Sequence, residues 1–211
     1  MNARGFKAVG WIALVAFALA GCTSQSAGPV EGSTVEMMAD YPTYDQEALV
    51  EQATLIIEGT VLATAATVLK VTYEGDTPQE NPLVGLSEKE KQRALDDDDG
   101  IPATAVTVRV DSVHKGDVEP GDEIVVVETG GVINGVTYKV QGVTSLNLDE
   151  SYLLFGAGNP DGTYSILGGS AGTFVEGAGP GFVAVEPSSA PFEELTADKV
   201  DSLVSGITPA E

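Results

Sequence analysis

The sequence predicts a mainly β fold: one small barrel or sandwich with short peripheral helices and a helix near the C-terminus. Three observations predict it. Short segments rich in Val, Ile, Thr, Tyr and Phe recur from residue 104 to 186, set off by Gly, Pro, Asn and Asp with no interleaved helix, the spacing of an all-β domain. The stretch "VINGVTYKV", residues 132–140, centres on Asn134-Gly135, where both positions tolerate positive φ and mark a two-residue hairpin. In "TAVTVRVDSVHKG", residues 104–116, Val106, Val108 and Val110 share one face while Thr107, Arg109 and Asp111 share the other, the period of a half-buried strand.

Taken in chain order, Arg4 and Lys7 precede residues 8–20, which are apolar except for Gly10. That is the layout of a signal peptide, with an apolar run too short for a spanning helix of about 20 residues. Leu19-Ala20-Gly21-Cys22 then resembles the bacterial lipobox. The resemblance implies that residues 1–21 are removed and that the Cys22 thiol carries a diacylglyceryl group; the alternative is an ordinary secretory signal with an incidental cysteine. Two acyl chains suffice for stable anchoring, so the expected location is the extracytoplasmic face of a bacterial cell membrane, with the membrane as a partner through Cys22. Cys22 is the single cysteine, so no disulfide forms within the mature chain. Loss of Arg4 and Lys7 lowers Lys+Arg from 10 to 8 against 32 acids, taking the net charge from −22 to −24. Nucleic acid, and direct adhesion to anionic lipid, are thereby excluded as partners, since both need basic patches.

Residues 22–42 lack clear periodicity and read as the lipidated cysteine and a flexible tether, whose 20 residues after Cys22 span about 25 Å. A single domain is expected over 43–211. It begins with a short helix, because Thr43 and Gln46 form a capping-box pattern after Pro42, with Ala48, Leu49 and Ala53 facing a core. Residues 54–73 are β-branched-rich and read as one long strand or two, with Gly59 marking a bulge or bend. Residues 74–101 break the pattern with Pro78, Pro82 and an acidic run, and read as an inserted surface excursion carrying a helix from Ser87 to Leu95 capped by Ser87 and Glu90. Beyond it, Val113 falls out of phase with Val106, Val108 and Val110, placing a bulge near Asp111 and Ser112. "DEIVVVE", residues 122–128, is apolar on both faces and reads as a central strand. After the hairpin at 132–140 and a turn at Asp149 and Glu150 come "SYLLF", "TYSIL", "TFVEG" and "FVAVE". A helix from 197 to 204 follows, capped by Thr196, with Leu195 and Val200 as a hydrophobic staple.

The succession "LVEQATLIIEGTV", "VTVRVDSVHKGD", "GDEIVVVE" and "LDESYLLFGAG" resembles a set of exported bacterial domains whose strands read "ADLVVVGTV", "V..VLKG" and "GERYLLFL". Those resemble in turn the OB-like barrel of the netrin and tissue-inhibitor-of-metalloproteinase type. The similarity covers residues 48–176 and rests on core apolar positions, turn glycines and Lys115-Gly116, so it implies a fold and hardly a function. The inhibitors act through a free N-terminal cysteine packed on the barrel. Cys22, lipidated and about 20 residues from the first helix, departs from that pattern, and the mechanism is not carried over.

Several patterns invite catalytic readings. Gly168-Gly169-Ser170-Ala171-Gly172 satisfies G-x-S-x-G, but the nucleophile elbow needs a following helix and a later histidine, and His114 lies upstream; a Gly-rich β-turn is expected. Ser112 and Lys115 satisfy S-x-x-K, a pairing that needs a helix, whereas i and i+3 on a regular strand point to opposite faces. His114 reads as a solvent-facing residue at a strand end, with a binding role as the alternative. "DDDDG", residues 96–100, fits no EF-hand register and reads as a solvated acidic loop; the alternative is a weak divalent-cation site on Asp96, Asp97, Asp98 and Asp99. Zinc spacing, a P-loop and GxGxxG are missing, so no metal or cofactor is expected. The expectation is a non-enzymatic binding or interaction module for an extracytoplasmic protein or ligand that the sequence does not identify. Its rivals are a cell-envelope enzyme working through carboxylates such as Asp111, Glu128 or Glu150, and a cation-responsive protein.

Overall fold

A computed structural model describes residues 31–70, 73, 75–96 and 100–206. It is mainly β, with a large sheet and a helix near the C-terminus. The strands are β1 (Thr34–Met37), β2 (Leu55–Leu69), β3 (Ile101–Lys115), β4 (Glu123–Thr129), β5 (Gly131–Ile133), β6 (Val136–Val140), β7 (Ser151–Gly158), β8 (Tyr164–Ile166), β9 (Thr173–Glu176), β10 (Phe182–Ala184) and β11 (Glu194–Leu195). The helices are α1 (Gln46–Gln52), α2 (Glu88–Asp96) and α3 (Ala197–Gly206). The large sheet runs β11-β10-β9-β7-β2-β3-β4-β8, and β8 also pairs with β7. Every neighbouring pair in it is antiparallel except β4 with β8. A second sheet has the order β1-β6-β5.

The period of 2 in strand side chains divides the core in two. Ile56 of β2 with Leu153 and Phe155 of β7 pack outward against Leu49, Val50 and Ala53 of α1, Val200 of α3 and Phe174. Leu55, Ile57 and Val61 of β2 with Tyr152 and Leu154 of β7 pack inward against Val106, Val108, Val110, Ile124 and Val126. Strands buried on both faces carry large apolar residues at successive positions, which is why "TLIIEG" and "SYLLF" lack clean alternation. Phe155 and Phe174 meet edge to face with ring centroids 5.7 Å apart, a favoured aromatic geometry.

β2 and β3 pair from Ile56↔Lys115 to Leu69↔Ile101, with three register shifts. One is the bulge expected at Asp111: Glu58 pairs with Ser112 and Gly59 with Val110, so Asp111 is the extra residue. Gly59 sits where a Cβ would come within 2.7 Å of the Arg109 carbonyl oxygen, so only glycine lets the strands approach there. The β5–β6 hairpin turns on Asn134 (φ 51°) and Gly135 (φ 77°), as the Asn-Gly pair predicts. The helix in the 74–101 excursion forms as α2, with the Ser87 N–H and Oγ both donating to Glu90 Oε2. Thr196 caps α3, and Leu195 and Val200 are both buried in the outer core.

Four expectations need correction. Residues 34–37, read as tether, form β1, which pairs parallel with β6 from Thr34↔Thr137 to Met37↔Val140; a four-residue strand is too short to show a period. The first helix is capped by Asp45, whose side chain accepts from the Ala48 N–H at 2.8 Å, and not by the Thr43–Gln46 box. The G-x-S-x-G stretch makes one 3-10 turn over Gly169–Gly172 where a β-turn was expected. The His114 side chain is buried, as described below.

Candidate functional site

The inward face of β2, β3 and β4 changes character along its length. Register partners in antiparallel strands share a face, so the pairing defines three inward rows: Val61–Val108–Ile124, Thr64–Val106–Val126 and Ala66–Thr104–Glu128. The first row is apolar and buried; the last ends on a carboxylate. Ile124, Val126 and Glu128 occupy i, i+2 and i+4, so the pleat that turns two core residues inward turns Glu128 inward too.

Glu128 is only 8% exposed. Among the described residues its carboxylate receives a single donor, the Leu146 N–H, shared between its two oxygens at 3.2 and 3.3 Å. A carboxylate offers about four acceptor positions, so most of that capacity is unused. Burial raises the Glu128 pKa to about 7, against a smaller opposing effect of the Leu146 N–H. Two openings meet at this side chain. One is a cleft of about 140 Å³ with apolar walls from Leu69, Val127, Val143 and Ile166, and with Tyr41 and the hydroxyl residues Thr129, Thr144 and Ser165 around it. The other, about 360 Å³, lies against Thr64, Ala65 and Ala66 of β2. Among the described residues Glu128 is the one acid lining either opening.

The loop over Glu128 is held at both ends. Ser170 Oγ accepts from the Thr144 N–H at 2.8 Å, and Tyr152 Oη accepts from the Asn147 N–H at 3.0 Å. Tyr152 Oη in turn donates to Glu150 Oε2 at 2.5 Å, and Asn147 Nδ2 donates to the same oxygen at 3.0 Å. The Tyr152 hydroxyl, followed by the Asn147 amide, holds the Glu150 carboxyl below its ordinary range. Burial, followed by its bond to Glu150, pushes the Tyr152 phenol up to about 12, and the charge of Glu128 adds a smaller push.

The remaining sequence candidates are occupied elsewhere. Ser170 is buried and spent on Thr144. Lys115 Nζ donates to the carbonyls of Val50 and Glu51 at 2.9 and 3.1 Å, closing the C-terminal end of α1 and not serving Ser112. Asp111 accepts from Thr60 Oγ1 at 2.6 Å and Arg109 Nε at 2.9 Å. The His114 side chain is 4% exposed, with Nδ1 2.6 Å from Asp201 of α3 and Nε2 3.1 Å from Glu58 of β2. The reason it is not solvent-facing is a second bulge: Ile56 pairs with Lys115 and Ile57 with Val113, so His114 is an extra residue on which α3 closes. Asp96 ends α2 and accepts from Gln92 Nε2 at 2.8 Å; Asp97, Asp98 and Asp99 lie outside the described residues, as do Leu19, Ala20, Gly21 and Cys22. Among the described residues no group of three or more His, Cys, Asp or Glu is arranged to hold a metal.

Of the three carboxylates singled out from sequence, the fold thus brings Glu128 and Glu150 to one loop and leaves Asp111 apart. Sequence reasoning missed Tyr41 and Tyr152 as site residues and Asp201 and Glu58 as partners of His114. A signal for Tyr152 was present, since it precedes an apolar run and follows the acid whose side chain it meets. Compared with models of known protein families and with curated proteins, the chain matches none.

Proposed function

We propose that this is a lipid-anchored protein of the bacterial cell membrane, held by Cys22 on the extracytoplasmic face, whose β domain is a non-enzymatic binding module. The observation that carries the location is the run Leu19-Ala20-Gly21-Cys22 after a charged start and a short apolar stretch. Binding is assigned to the cleft over Glu128, a concave, mostly apolar opening with a charged anchor in Glu128 and a few hydroxyl groups beside it, the usual make-up of a ligand site. We further infer an OB-like barrel from β2, β3, β4, β8 and β7. In its support, each strand pairs with the next, β8 pairs back to β7, β7 to β2, and β4 with β8 is the parallel step.

Cys22→Ser tests the anchor: radiolabelled palmitate incorporation should vanish and the protein should leave the membrane fraction. Unchanged labelling would overturn the location. A second reading, a cell-envelope enzyme, draws on Glu128 and Glu150, two acids near one loop with pKa values pushed apart, one raised and one lowered. Hydrolysis of envelope glycan or peptide by wild type, lost in Glu128→Gln, would put that reading first.

A further inference from the structure

We propose that the cleft over Glu128 takes an alkylammonium group: a protonated primary amine on a slim methylene stem. This rests on the binding-module reading of the cleft and not on the lipid anchor. The floor is a carboxylate withdrawn from water, with one shared main-chain donor on its two oxygens at 3.2 and 3.3 Å. A buried charge is stabilised only by partners that replace its hydration, and an ammonium brings three donors and the opposite charge. A hard divalent ion asks for about six oxygen ligands, whereas among the described residues Glu128 is the one carboxylate lining the cleft, and no described Lys or Arg lines it. An anion is opposed by Glu128 itself and by a chain charge of −22.

The size and walls select the shape of the cation. The space of about 140 Å³ holds roughly four or five waters at about 30 Å³ each, enough for an ammonium head and a few methylenes. Leu69, Val127, Val143 and Ile166 supply apolar wall for the stem, and Tyr41 lines the cleft beside them. The same chemistry is presented by a free aliphatic amine and by a lysine side chain on a partner protein.

The test uses the full chain in non-ionic detergent at about 0.15 M salt, followed through the amide resonances of Leu146 and Ser165. The probes are n-butylammonium, Nα-acetyl-lysine N-methylamide, and n-butanol as the uncharged analogue. We expect n-butylammonium to shift both resonances with a Kd of about 1 mM, and n-butanol to bind at least tenfold more weakly. Glu128→Gln, which keeps an acceptor for the Leu146 N–H, should lose about tenfold or more in n-butylammonium affinity with the fold intact. Thr144→Phe, a change at an exposed position lining the cleft, should block both amines while Glu128 remains. Tighter binding of the lysine amide than of n-butylammonium would point to a protein partner, and equal binding to a free amine; both support the proposal. Equal binding of n-butanol and n-butylammonium, unchanged in Glu128→Gln, would keep the cleft as a binding site and overturn the cation. No shift with any probe would overturn both.

Discussion

From Ile56 to Thr60, β2 is paired with β3 on one side and β7 on the other, and Val61 continues the second edge by bonding to Asp149 and Glu150. From Ala63 to Leu69, among the described residues, the same strand pairs with β3 alone. The first stretch reads Ile-Ile-Glu-Gly-Thr-Val and is largely buried; the second reads Ala-Thr-Ala-Ala-Thr-Val-Leu and is largely exposed. Large branched residues stand where both faces are covered, and Ala and Thr where the strand borders the opening at Glu128. One strand thus serves two purposes: its first half builds the core and its second half forms the rim of a cleft. The edge strand there has no charge of its own, a feature that proteins usually avoid on free edges.

The largest expected effect contrasts the halves directly. Ile57→Ala should cost about 3 to 4 kcal/mol in chemical denaturation, since it empties a fully buried site, while Val68→Ala, at 40% exposure, should cost less than about 0.5 kcal/mol. Equal losses would break the comparison. Glu128→Gln comes next. Its carboxyl has a native pKa near 7 against an ordinary 4.5, so the native state holds the proton more tightly than the unfolded chain, and stability falls as pH rises between those values and is level above. Glutamine removes that penalty, so the variant should gain on the order of 2 to 3 kcal/mol at alkaline pH and nothing below the window. A gain independent of pH would contradict the burial argument. His114→Asn, which keeps one donor between Glu58 and Asp201, should cost about 1 to 2 kcal/mol and speed amide exchange in α3 while leaving β7 protected. The smallest effect is expected for Ala65→Lys on the free edge, within about 0.5 kcal/mol; a loss above about 1 kcal/mol would mean that this edge is covered.

Much of the architecture was legible because it rests on local signals. The Asn134-Gly135 turn, the irregularity at Gly59, the Asp111 bulge and the Thr196 cap each follow from residues within a few positions of one another. The site was less legible because it depends on parity and on distant pairing. "DEIVVVE" reads as apolar on both faces, and that masks the fact that Glu128 shares the inward parity of Ile124 and Val126. The S-x-x-K string could not reveal that Lys115 reaches the end of α1, 64 residues away in sequence. His114 was misplaced because a second bulge and the later closure of α3 decide its burial, and neither shows in a single strand's pattern.

Glu128 lies at an open cleft as a carboxyl withdrawn from water, its pKa raised to about 7 by burial. A carbon-13 pH titration of the glutamate side-chain carboxyls, with Glu128→Gln used to assign the resonance, tests it most directly. The expected midpoint for Glu128 is about 7, lowered when n-butylammonium is bound. A midpoint near the ordinary 4.5 would contradict it, for the carboxylate would then be hydrated and the cleft would offer a cation no more than the rest of the acidic surface does.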